Sequence, residues 1–380
     1  MQKRPLRILH VVGGMNRGGV ETWLMHVLRN IDRERFQMDF LVHTAETCAY
    51  DEEIRALGSH ILPCLSPSRP LKYASRFRRI LAANGPYDVI HSHVHHYSGY
   101  VARLAQRAGV PIRIAHSHSD TSALQARAGL LRRAYLSLSG RWIARYAVVG
   151  LSASRQAAAS LFGRNWELDS RWQQLYCGVD FSGFPTAGDE TDLRVELGLP
   201  QDAFVIGHVG RFSEAKNHKF LIEIAAEVAK REPNMRLLLI GDGLLRPLIE
   251  QEVVRLGLAD HVVFAGLRED VHRVMLEAMD VFLLPSLHEG LPLVGMEVQA
   301  AGLPCVMSDV ITSEVEIIPS LVQRLSLSQP ASVWAEVALS AREMGKNITK
   351  QDALAKMKQS PFDIHVSIRE LERVYAGAAH

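Results

Sequence analysis

Short apolar runs alternate with longer amphipathic stretches along the first half of the chain. The runs are rich in Val, Ile, Leu or Phe and are separated by sequence of helix length, which predicts βαβ units and a parallel sheet covered on both faces. Predicted strands occupy residues 7–12, 38–42, 89–92, 113–116 and 147–151, and the first predicted helix occupies residues 20–30.

The alternation stops between residues 178 and 201, a stretch rich in Gly, Pro, Asp and Thr that we interpret as an interdomain linker. The pattern then restarts, with predicted strands at residues 204–209, 235–240, 261–264, 281–284 and 305–308 and helices at 219–231, 245–256, 271–278 and 293–301. The chain is therefore predicted to be an α/β protein of two Rossmann-like, doubly wound domains that face each other across a cleft, residues 1–185 and 186–360. Residues 361–380 are predicted to form a C-terminal helix that crosses back to the first domain.

Length and composition agree with this organisation. A chain of 380 residues is longer than one hydrophobic core usually supports. It has no apolar run of about 18 residues, the length that a membrane span needs, and the short apolar stretch near the N-terminus is interpreted as a buried strand and not a signal peptide. The four cysteines are far apart in the sequence and show no paired metal-ligand spacing. We therefore expect a cytoplasmic protein without a structural zinc site.

Charge is distributed unevenly along the chain. Residues 1–185 carry 24 of the 43 Lys and Arg residues but only 13 of the 41 Asp and Glu residues. Some of the arginines lie in amphipathic segments at 76–79 and 132–145, where Tyr135 and Trp142 suit headgroup depth. We hypothesise peripheral association with an anionic membrane surface; a solvated helix face with packed arginine stems explains the pattern equally well. No nucleic-acid-binding module accompanies these residues, so nucleic acid is not an expected partner.

A glycine-rich loop, residues 13–19, follows the first predicted strand. Gly14, Gly18 and Gly19 lie directly before or at the start of the first helix. Glycines there allow the backbone to approach a ligand closely, and a helix N-terminus favours an anion. The loop is neither the GxGxxG dinucleotide fingerprint nor a Walker loop, and tight packing of the turn alone would also explain its glycines.

Two basic residues follow the first predicted strand of the second domain. Arg211 and Lys216 lie five residues apart in one loop, so both side chains can face the same ligand. A guanidinium group and an ammonium group together suit a diphosphate. The alternative is a pair of solvated surface cations, the usual environment of these residue types.

Two glutamates follow the predicted strand at residues 281–284. Glu289 lies in a loop, Pro292 marks the first turn of the next helix, and Glu297 lies inside that helix. If residues 290–293 begin the helix, their free amides point towards a phosphate. Eight helical residues span about 12 Å, which exceeds the roughly 5–9.5 Å between the paired carboxylates of glycosidases. The glutamates are therefore predicted to bind two parts of one long, hydroxyl-bearing ligand; two surface glutamates, one near the helix dipole, are the alternative.

Histidines cluster after two neighbouring predicted strands, at positions 91, 93, 95 and 96 and again at His116 and His118. The HxH spacing places both side chains of a pair on one face of a strand, but no carboxylate or third ligand accompanies them. We expect no bound metal here. We expect His116 and His118 to hydrogen-bond a polyhydroxylated substrate instead.

Taken in order, these segments resemble the retaining glycosyltransferases of family 4, in particular the bacterial exopolysaccharide and capsule enzymes. The resemblance extends over nearly the whole chain, from VVGGMNRGGVETW through DVIHSH, RIAHSH, GVD, VGRFSEAKN and LLLIGDG to FLLPSLHEGLPLVGMEVQAAGLP. Glu289 and Glu297 match the family's Glu-x7-Glu motif. The resemblance implies the GT-B fold and a nucleotide-sugar donor held mainly by the second domain.

The resemblance also implies roles for individual residues. Glu297 would bind the ribose hydroxyls, Glu289 the hydroxyls of the donor sugar, and Arg211 and Lys216 the diphosphate. Many relatives have one histidine after the strand at residues 113–116, whereas this chain has His116 and His118, of which His118 lies further into the loop and is preferred. Other implied donor-binding residues come from the glycine loop, a base-contacting loop and the start of the last helix: Gly14, Gly18, Gly19, Arg268, Val271, Gly290, Leu291, Pro292 and Leu293.

In this family the anomeric configuration is retained, and the leaving phosphate accepts the proton of the acceptor. Cations and helix dipoles stabilise the leaving group, so neither a divalent metal nor another cofactor is expected. The implied donor is a UDP-sugar and the implied acceptor a glycan or a polyprenyl-linked saccharide. The alternatives are a GDP-mannose-dependent mannosyltransferase and a non-catalytic nucleotide-sugar-binding partner subunit.

Overall fold

The computed structural model describes residues 4–122, 125, 128–184, 193–345 and 347–377. The chain forms two compact units, divided after Gly178 and again after Asp363. The first unit therefore combines the beginning of the chain with the segment that starts at Ile364, and the second unit contains the residues between them. The predicted boundary at residues 185 and 186 lies outside the described residues.

A seven-stranded sheet forms the centre of the first unit. In chain order its strands are β1 Leu6–Val12, β2 Phe36–Val42, β3 Ile61–Pro63, β4 Val89–Ser92, β5 Ile112–Ser117, β6 Val149–Ser152 and β7 Trp172–Gln174. All neighbouring strands pair in parallel, in the spatial order β3-β2-β1-β4-β5-β6-β7. The order changes direction between β1 and β4, the point at which doubly wound sheets usually bind ligands.

Helices connect these strands, and one more helix returns from the end of the chain. They are Gly19–Asn30, Asp51–Ala56, Pro70–Asn84, Ser98–Arg107, Leu130–Tyr146, Arg155–Phe162 and Ile364–Tyr375. The last of these packs against Gly19–Asn30. There the indole nitrogen of the buried Trp23 donates to Ser367 Oγ at 3.2 Å, and Ser367 donates to the carbonyl of Tyr176 at 3.0 Å.

The second unit is built on a six-stranded parallel sheet. Its strands are β8 Phe204–Val209, β9 Met235–Ile240, β10 Val262–Gly266, β11 Val281–Leu284, β12 Cys305–Ser308 and β13 Val322–Leu325. Their spatial order is β10-β9-β8-β11-β12-β13. Its helices are Leu193–Glu196, His218–Ala229, Arg246–Arg255, Val271–Glu277, Leu293–Ala300, Ala331–Ser340 and Lys350–Lys358. Across both units, no described helix has the length and apolar character needed to cross a membrane.

The structure confirms the predicted α/β class and every predicted strand to within about two residues at each end. Three further strands, β3, β7 and β13, were not predicted. Each lies at an edge of its sheet and is incompletely buried. Edge strands need no continuous apolar run, and the sequences ILP, WQQ and VQRL accordingly lack one.

Candidate functional site

Three loops of the second unit meet beyond the carboxyl ends of β8, β9 and β11. Gly241 follows β9 with a φ of 135°, and a Cβ at this position would collide with the carbonyl oxygen of Gly210. Glycine is needed here for both reasons. The amide of Phe212 donates to the carbonyl of Asp242 at 3.0 Å. The loop after β9 thus supports the loop that carries Lys216.

The loop after β8 is also tied to the loop after β11. Asn217 adopts the left-handed conformation, with φ 54° and ψ 42°, and its side-chain amide donates to the carbonyl of Pro285 at 3.1 Å. The amide of Leu287 donates to the carbonyl of Ala215 at 2.8 Å. These two hydrogen bonds fix the distance between the residues on either side of Lys216 and the segment that precedes Glu289.

Lys216 and Glu289 form a partly buried ion pair between these two loops. Lys216 Nζ lies 2.6 Å from Glu289 Oε1, and the two side chains are only 18% and 13% exposed. The same carboxylate oxygen accepts a hydrogen bond from Ser286 Oγ at 2.7 Å. A Cβ at Gly210 would lie 3.2 Å from the Lys216 stem, so glycine gives that stem room. The structure brings these two predicted residues together, whereas Arg211 lies exposed in the same loop.

The helix Leu293–Ala300 follows Glu289 and carries Glu297. Pro292 is its N-cap, with φ −72° and ψ 110°, so the helix begins at Leu293 as predicted, and Pro292 lies just before its first turn and not within it. A residue before proline avoids the helical backbone conformation, so Leu291 cannot belong to the helix. Gly290 and Leu291 therefore precede the helix, and its first free amide belongs to Leu293.

Glu297 has partners different from those of Glu289. Its Oε1 lies 3.4 Å from His272 Nε2, and its side chain is 14% exposed. The His272 ring stacks on the buried ring of Phe184, with centroids 4.2 Å apart. The sequence does not predict a role for His272, which lies next to Val271 at the start of the helix Val271–Glu277. The only signal was its place next to the predicted base-contacting loop.

Arg268 holds that loop in place. Its guanidinium group binds Asp270 through two hydrogen bonds of 2.6 and 2.7 Å and binds Glu196 at 2.9 Å. The hydrogen bond to Asp270 raises the pKa of Arg268 and lowers the pKa of the Asp270 carboxyl group. The predicted contact of Arg268 with a base stays a prediction, and its observed role is to shape the loop.

Buried histidines add a feature that the sequence did not indicate. His208 lies in β8, and its Nδ1 donates to the carbonyl of Leu283 at 2.8 Å. A carbonyl can only accept, so Nδ1 carries the proton and Nε2 presents a lone pair. That Nε2 is buried and has no hydrogen-bond partner among the described residues. Burial lowers the pKa of His208 well below its ordinary value, so the ring is neutral.

The glycine loop lies in the first unit. A Cβ at Gly14 would lie 3.0 Å from Thr44 Cγ2 and 3.2 Å from Cys48 Sγ, so close packing explains this glycine. Gly18 is the N-cap of the helix that begins at Gly19, and nothing crowds the Cβ position of Gly19. Packing therefore explains Gly14 but leaves the glycine at position 19 unexplained.

His116 and His118 belong to a cluster of five largely buried histidines in the first unit: His10, His91, His93, His116 and His118. The two HxH pairs lie on one side as predicted, with ring centroids 4.1 Å apart for His91 and His93 and 4.0 Å apart for His116 and His118. Burial lowers the pKa of His10 and His118 to about 3 and those of the other three well below the ordinary value. All five rings are therefore neutral at pH 7. His116 is fully buried and His118 is partly exposed.

Known proteins are similar in sequence to both units of this chain. Residues 18–170 match the family described as "Glycosyl transferase 4-like domain", and residues 203–331 match "Glycosyl transferases group 1". EpsF of Bacillus subtilis (strain 168), which is named as a glycosyltransferase, is 38% identical over 379 residues, covering 99% of this chain and 97% of EpsF. CapH of Staphylococcus aureus, named as a capsular polysaccharide biosynthesis glycosyltransferase, is 23% identical over 97% of this chain and 98% of CapH.

Solved structures share the fold. HepE from Anabaena, in complex with UDP-glucose, gives a TM-score of 0.80 at 19% identity, covering 98% of this chain and 100% of HepE. Sucrose-phosphate synthase from Thermosynechococcus elongatus gives a TM-score of 0.76 at 20% identity, covering 98% and 99%. These likenesses confirm the GT-B fold. Together with the identity to EpsF over almost all of both chains, they show that this chain belongs to the glycosyltransferases of family 4.

Proposed function

We propose that the chain is a retaining glycosyltransferase that moves a hexosyl group from a UDP-sugar to a glycan or lipid-linked saccharide in bacterial polysaccharide biosynthesis. The observation that carries the proposal is the Lys216–Glu289 pair, a cation and a carboxylate that lie 2.6 Å apart. The E. coli protein named UDP-Gal:alpha-D-GlcNAc-diphosphoundecaprenol alpha-1,3-galactosyltransferase supports the donor and acceptor classes. It is 29% identical over 241 residues, covering 59% of this chain and 58% of that protein.

Lys216 is proposed to bind the donor diphosphate. A phosphate oxygen would replace the Glu289 carboxylate at Nζ, and Glu289, still held by Ser286, would accept hydrogen bonds from hydroxyls of the donor sugar. In the reaction the bond between the sugar C1 and the phosphate oxygen breaks, and the acceptor oxygen bonds to C1 on the same face. The acceptor's proton passes to the departing phosphate oxygen. The ammonium group offsets the charge that develops there, so no divalent metal is required.

Glu297 is proposed to bind the ribose of the same donor. Its carboxylate accepts hydrogen bonds, and ribose hydroxyls are suitable donors. His272 and Phe184 hold that carboxylate from one side through the 3.4 Å contact and the ring stack. Since Glu289 and Glu297 have separate partners, each can bind its own part of one extended ligand.

The donor base can be tested by thermal shift. UDP at roughly a hundredfold excess over its Kd should stabilise the donor unit by about 2.7 kcal/mol and raise its melting temperature by about 5 °C or more, whereas GDP and dTDP should have smaller effects. EDTA should change neither the UDP shift nor the transfer rate. NMR of the product then reports the anomeric configuration. A larger shift with GDP would favour the mannosyltransferase alternative, and donor binding without transfer would favour the partner subunit.

Membrane association is a second part of the proposal and rests on the helix Leu130–Tyr146 of the first unit. Leu130 and Leu131 are 84% and 90% exposed, next to the exposed Arg132. Exposed leucines beside basic residues suit an anionic lipid surface. The Trp142 ring packs against Tyr100 and lies under Arg103, so the proposal rests on the leucines and not on this residue. We propose that the exposed start of this helix enters the headgroup region.

Flotation with vesicles that contain phosphatidylglycerol tests this proposal. The native protein should float at low salt, and Leu130→Asp/Leu131→Asp should reduce binding by at least tenfold, because two leucines lose burial worth about 1.5–3 kcal/mol each. Leu168→Asp is the matched control, since Leu168 is 85% exposed in the same unit. Absence of flotation by the native protein, or equal loss in the control, would contradict membrane association.

A further inference from the structure

The buried histidines of the first unit hydrogen-bond to one another in a line. We call the seven side chains of this line the histidine chain. Its six contacts in order are Cys177 Sγ–His118 Nδ1 at 3.5 Å, His118 Nε2–His93 Nδ1 at 2.8 Å, His93 Nε2–His10 Nδ1 at 3.0 Å, His10 Nε2–Tyr375 Oη at 3.4 Å, Tyr375 Oη–His91 Nδ1 at 2.9 Å and His91 Nε2–His116 Nδ1 at 3.0 Å.

Proton counting restricts this chain strongly. A neutral imidazole donates at one ring nitrogen and accepts at the other, and burial keeps all five rings neutral. If the Cys177 thiol donates to His118, each ring in turn must carry its proton on Nε2 to donate to the next. If the direction is reversed, each ring must carry its proton on Nδ1. Both arrangements give all five histidines the same tautomer.

Tyr375 joins the two halves of the chain, because its hydroxyl has one proton and lies between His10 and His91. If both rings donated to it, its own proton would have no acceptor in this buried position; if both rings accepted, only one could be satisfied. A buried polar group without a partner costs free energy. The hydroxyl therefore accepts from one ring and donates to the other, so that the tautomers of the two halves agree.

We propose that the histidine chain is a tautomer lock in which Tyr375 and His10 are positioning residues that impose one common tautomer on His116 and His118. To reverse the direction of the hydrogen bonds along the histidine chain, one proton must pass along each of the six bonds. One further proton must enter at one end of the chain, and one must leave at the other end. His116 Nε2 is buried without a hydrogen-bond partner in the described part of the chain, and Cys177 is also buried. Neither end exchanges protons readily, so the arrangement is fixed. The consequence for sugar transfer rests on the proposed function together with the prediction from the sequence that His116 or His118 contacts the substrate.

A metal site is the competing interpretation of the same side chains. Two sets of three ring nitrogens, from His10, His91 and His93 and from His93, His116 and His118, lie within 4.8 Å of one another. Ligands of a tetrahedral zinc ion are about 3.4 Å apart, given zinc–nitrogen bonds of about 2.1 Å. The ring contacts of 2.8–3.0 Å are hydrogen-bond distances. His93 also directs its two nitrogens to different neighbours, so the rings form a line and do not converge on one point.

Nitrogen NMR of the full chain labelled with ¹⁵N-histidine tests the lock. Long-range proton–nitrogen spectra distinguish the two neutral tautomers, and single His→Gln variants assign the five signals. The expected result is one common tautomer for all five rings at neutral pH. Mixed tautomers or an imidazolium among the five would overturn the proposal. So would stoichiometric binding of Zn²⁺ or Co²⁺ that disappears in His93→Gln.

The Tyr375→Phe variant tests whether Tyr375 couples the tautomers of the two halves of the histidine chain. Phenylalanine keeps the ring that packs near Phe36 but removes the hydroxyl, so the halves of the chain should uncouple and His10 and His91 should each show two tautomers. Tyr73→Phe is the matched control, because the Tyr73 hydroxyl lies 3.0 Å from His43 Nε2, outside the histidine chain. It should change the His43 signals alone. Unchanged His10 and His91 signals in Tyr375→Phe would overturn the lock.

Transfer kinetics separate the lock from the proposed function. Tyr375→Phe should lower kcat by about tenfold with the donor KM unchanged, because a misoriented contact costs rate, and Tyr73→Phe should not. If the spectra show the lock but kcat does not change, the contact between these histidines and substrate is wrong and the lock stands. If the spectra show independent tautomers in the native protein, the lock is wrong whatever the rate.

Discussion

Lys216→Met should lower the rate of sugar transfer by about a thousandfold while the protein stays folded. A charged donor aimed at developing negative charge is worth about 2.7–4 kcal/mol, and methionine keeps the length of the side chain without its charge. The variant also leaves the Glu289 carboxylate, which is 13% exposed, without its cation. Glu289→Ala should have an effect of similar size, because it removes the other half of the pair. Initial rates with the identified donor and acceptor measure both, and circular dichroism checks folding.

Lys219→Met is the control for this experiment, since Lys219 is exposed and lies three residues further along the chain. Its rate should stay within about twofold of the native rate, as expected for a surface position. Near-native turnover by either Lys216→Met or Glu289→Ala would refute the assignment of the ion pair to the donor site.

Glu297→Gln should raise the donor KM by about 10- to 100-fold and leave kcat within a few-fold. Hydrogen bonds to a charged group contribute about 1.5–3 kcal/mol. The ribose lies away from the reacting bond, so its contacts are equal in the ground state and the transition state, and their loss appears in KM alone. Steady-state kinetics over a range of donor concentrations, together with calorimetric titration of UDP, measure the effect.

Glu336→Gln, an exposed glutamate on the helix Ala331–Ser340, serves as the matched control and should change neither constant. A fall in kcat at constant KM for Glu297→Gln would place this carboxylate at the reacting bond. The two experiments together distinguish the roles of the two glutamates, because one variant lowers the rate and the other weakens donor binding.

The sequence predicts the central strands well because their burial on both faces demands continuous apolar runs, as in the MRLLLI of β9. It does not predict β3, β7 and β13, whose edge positions relax that demand. The start of the helix that carries Glu297 is predicted correctly at residue 293, because the proline at 292 marks the boundary.

Within the candidate site, the sequence identifies the chemical groups and not their partners. Lys216 and Glu289 were predicted to bind one ligand, but their mutual contact joins residues 73 positions apart. Tyr375 lies 284 residues from His91, with which it shares a hydrogen bond. The HxH spacing shows that two rings of one strand lie on the same face. The pairing of β1, β4 and β5 decides which histidines of different strands hydrogen-bond to each other. Such contacts depend on sheet register, which local pattern does not encode.

The discontinuous first unit has a consequence for synthesis on the ribosome. Its sheet is complete once β7 has emerged, yet Trp23 cannot bond Ser367, and His91 cannot bond Tyr375, until the end of the chain is translated. The second unit is contiguous from Val179 to Asp363 and can finish first, which reverses the usual N-to-C order of domain folding. A prematurely terminated product would therefore leave uncovered the face of the helix Gly19–Asn30 on which the helix Ile364–Tyr375 packs, and its buried side chains would meet water.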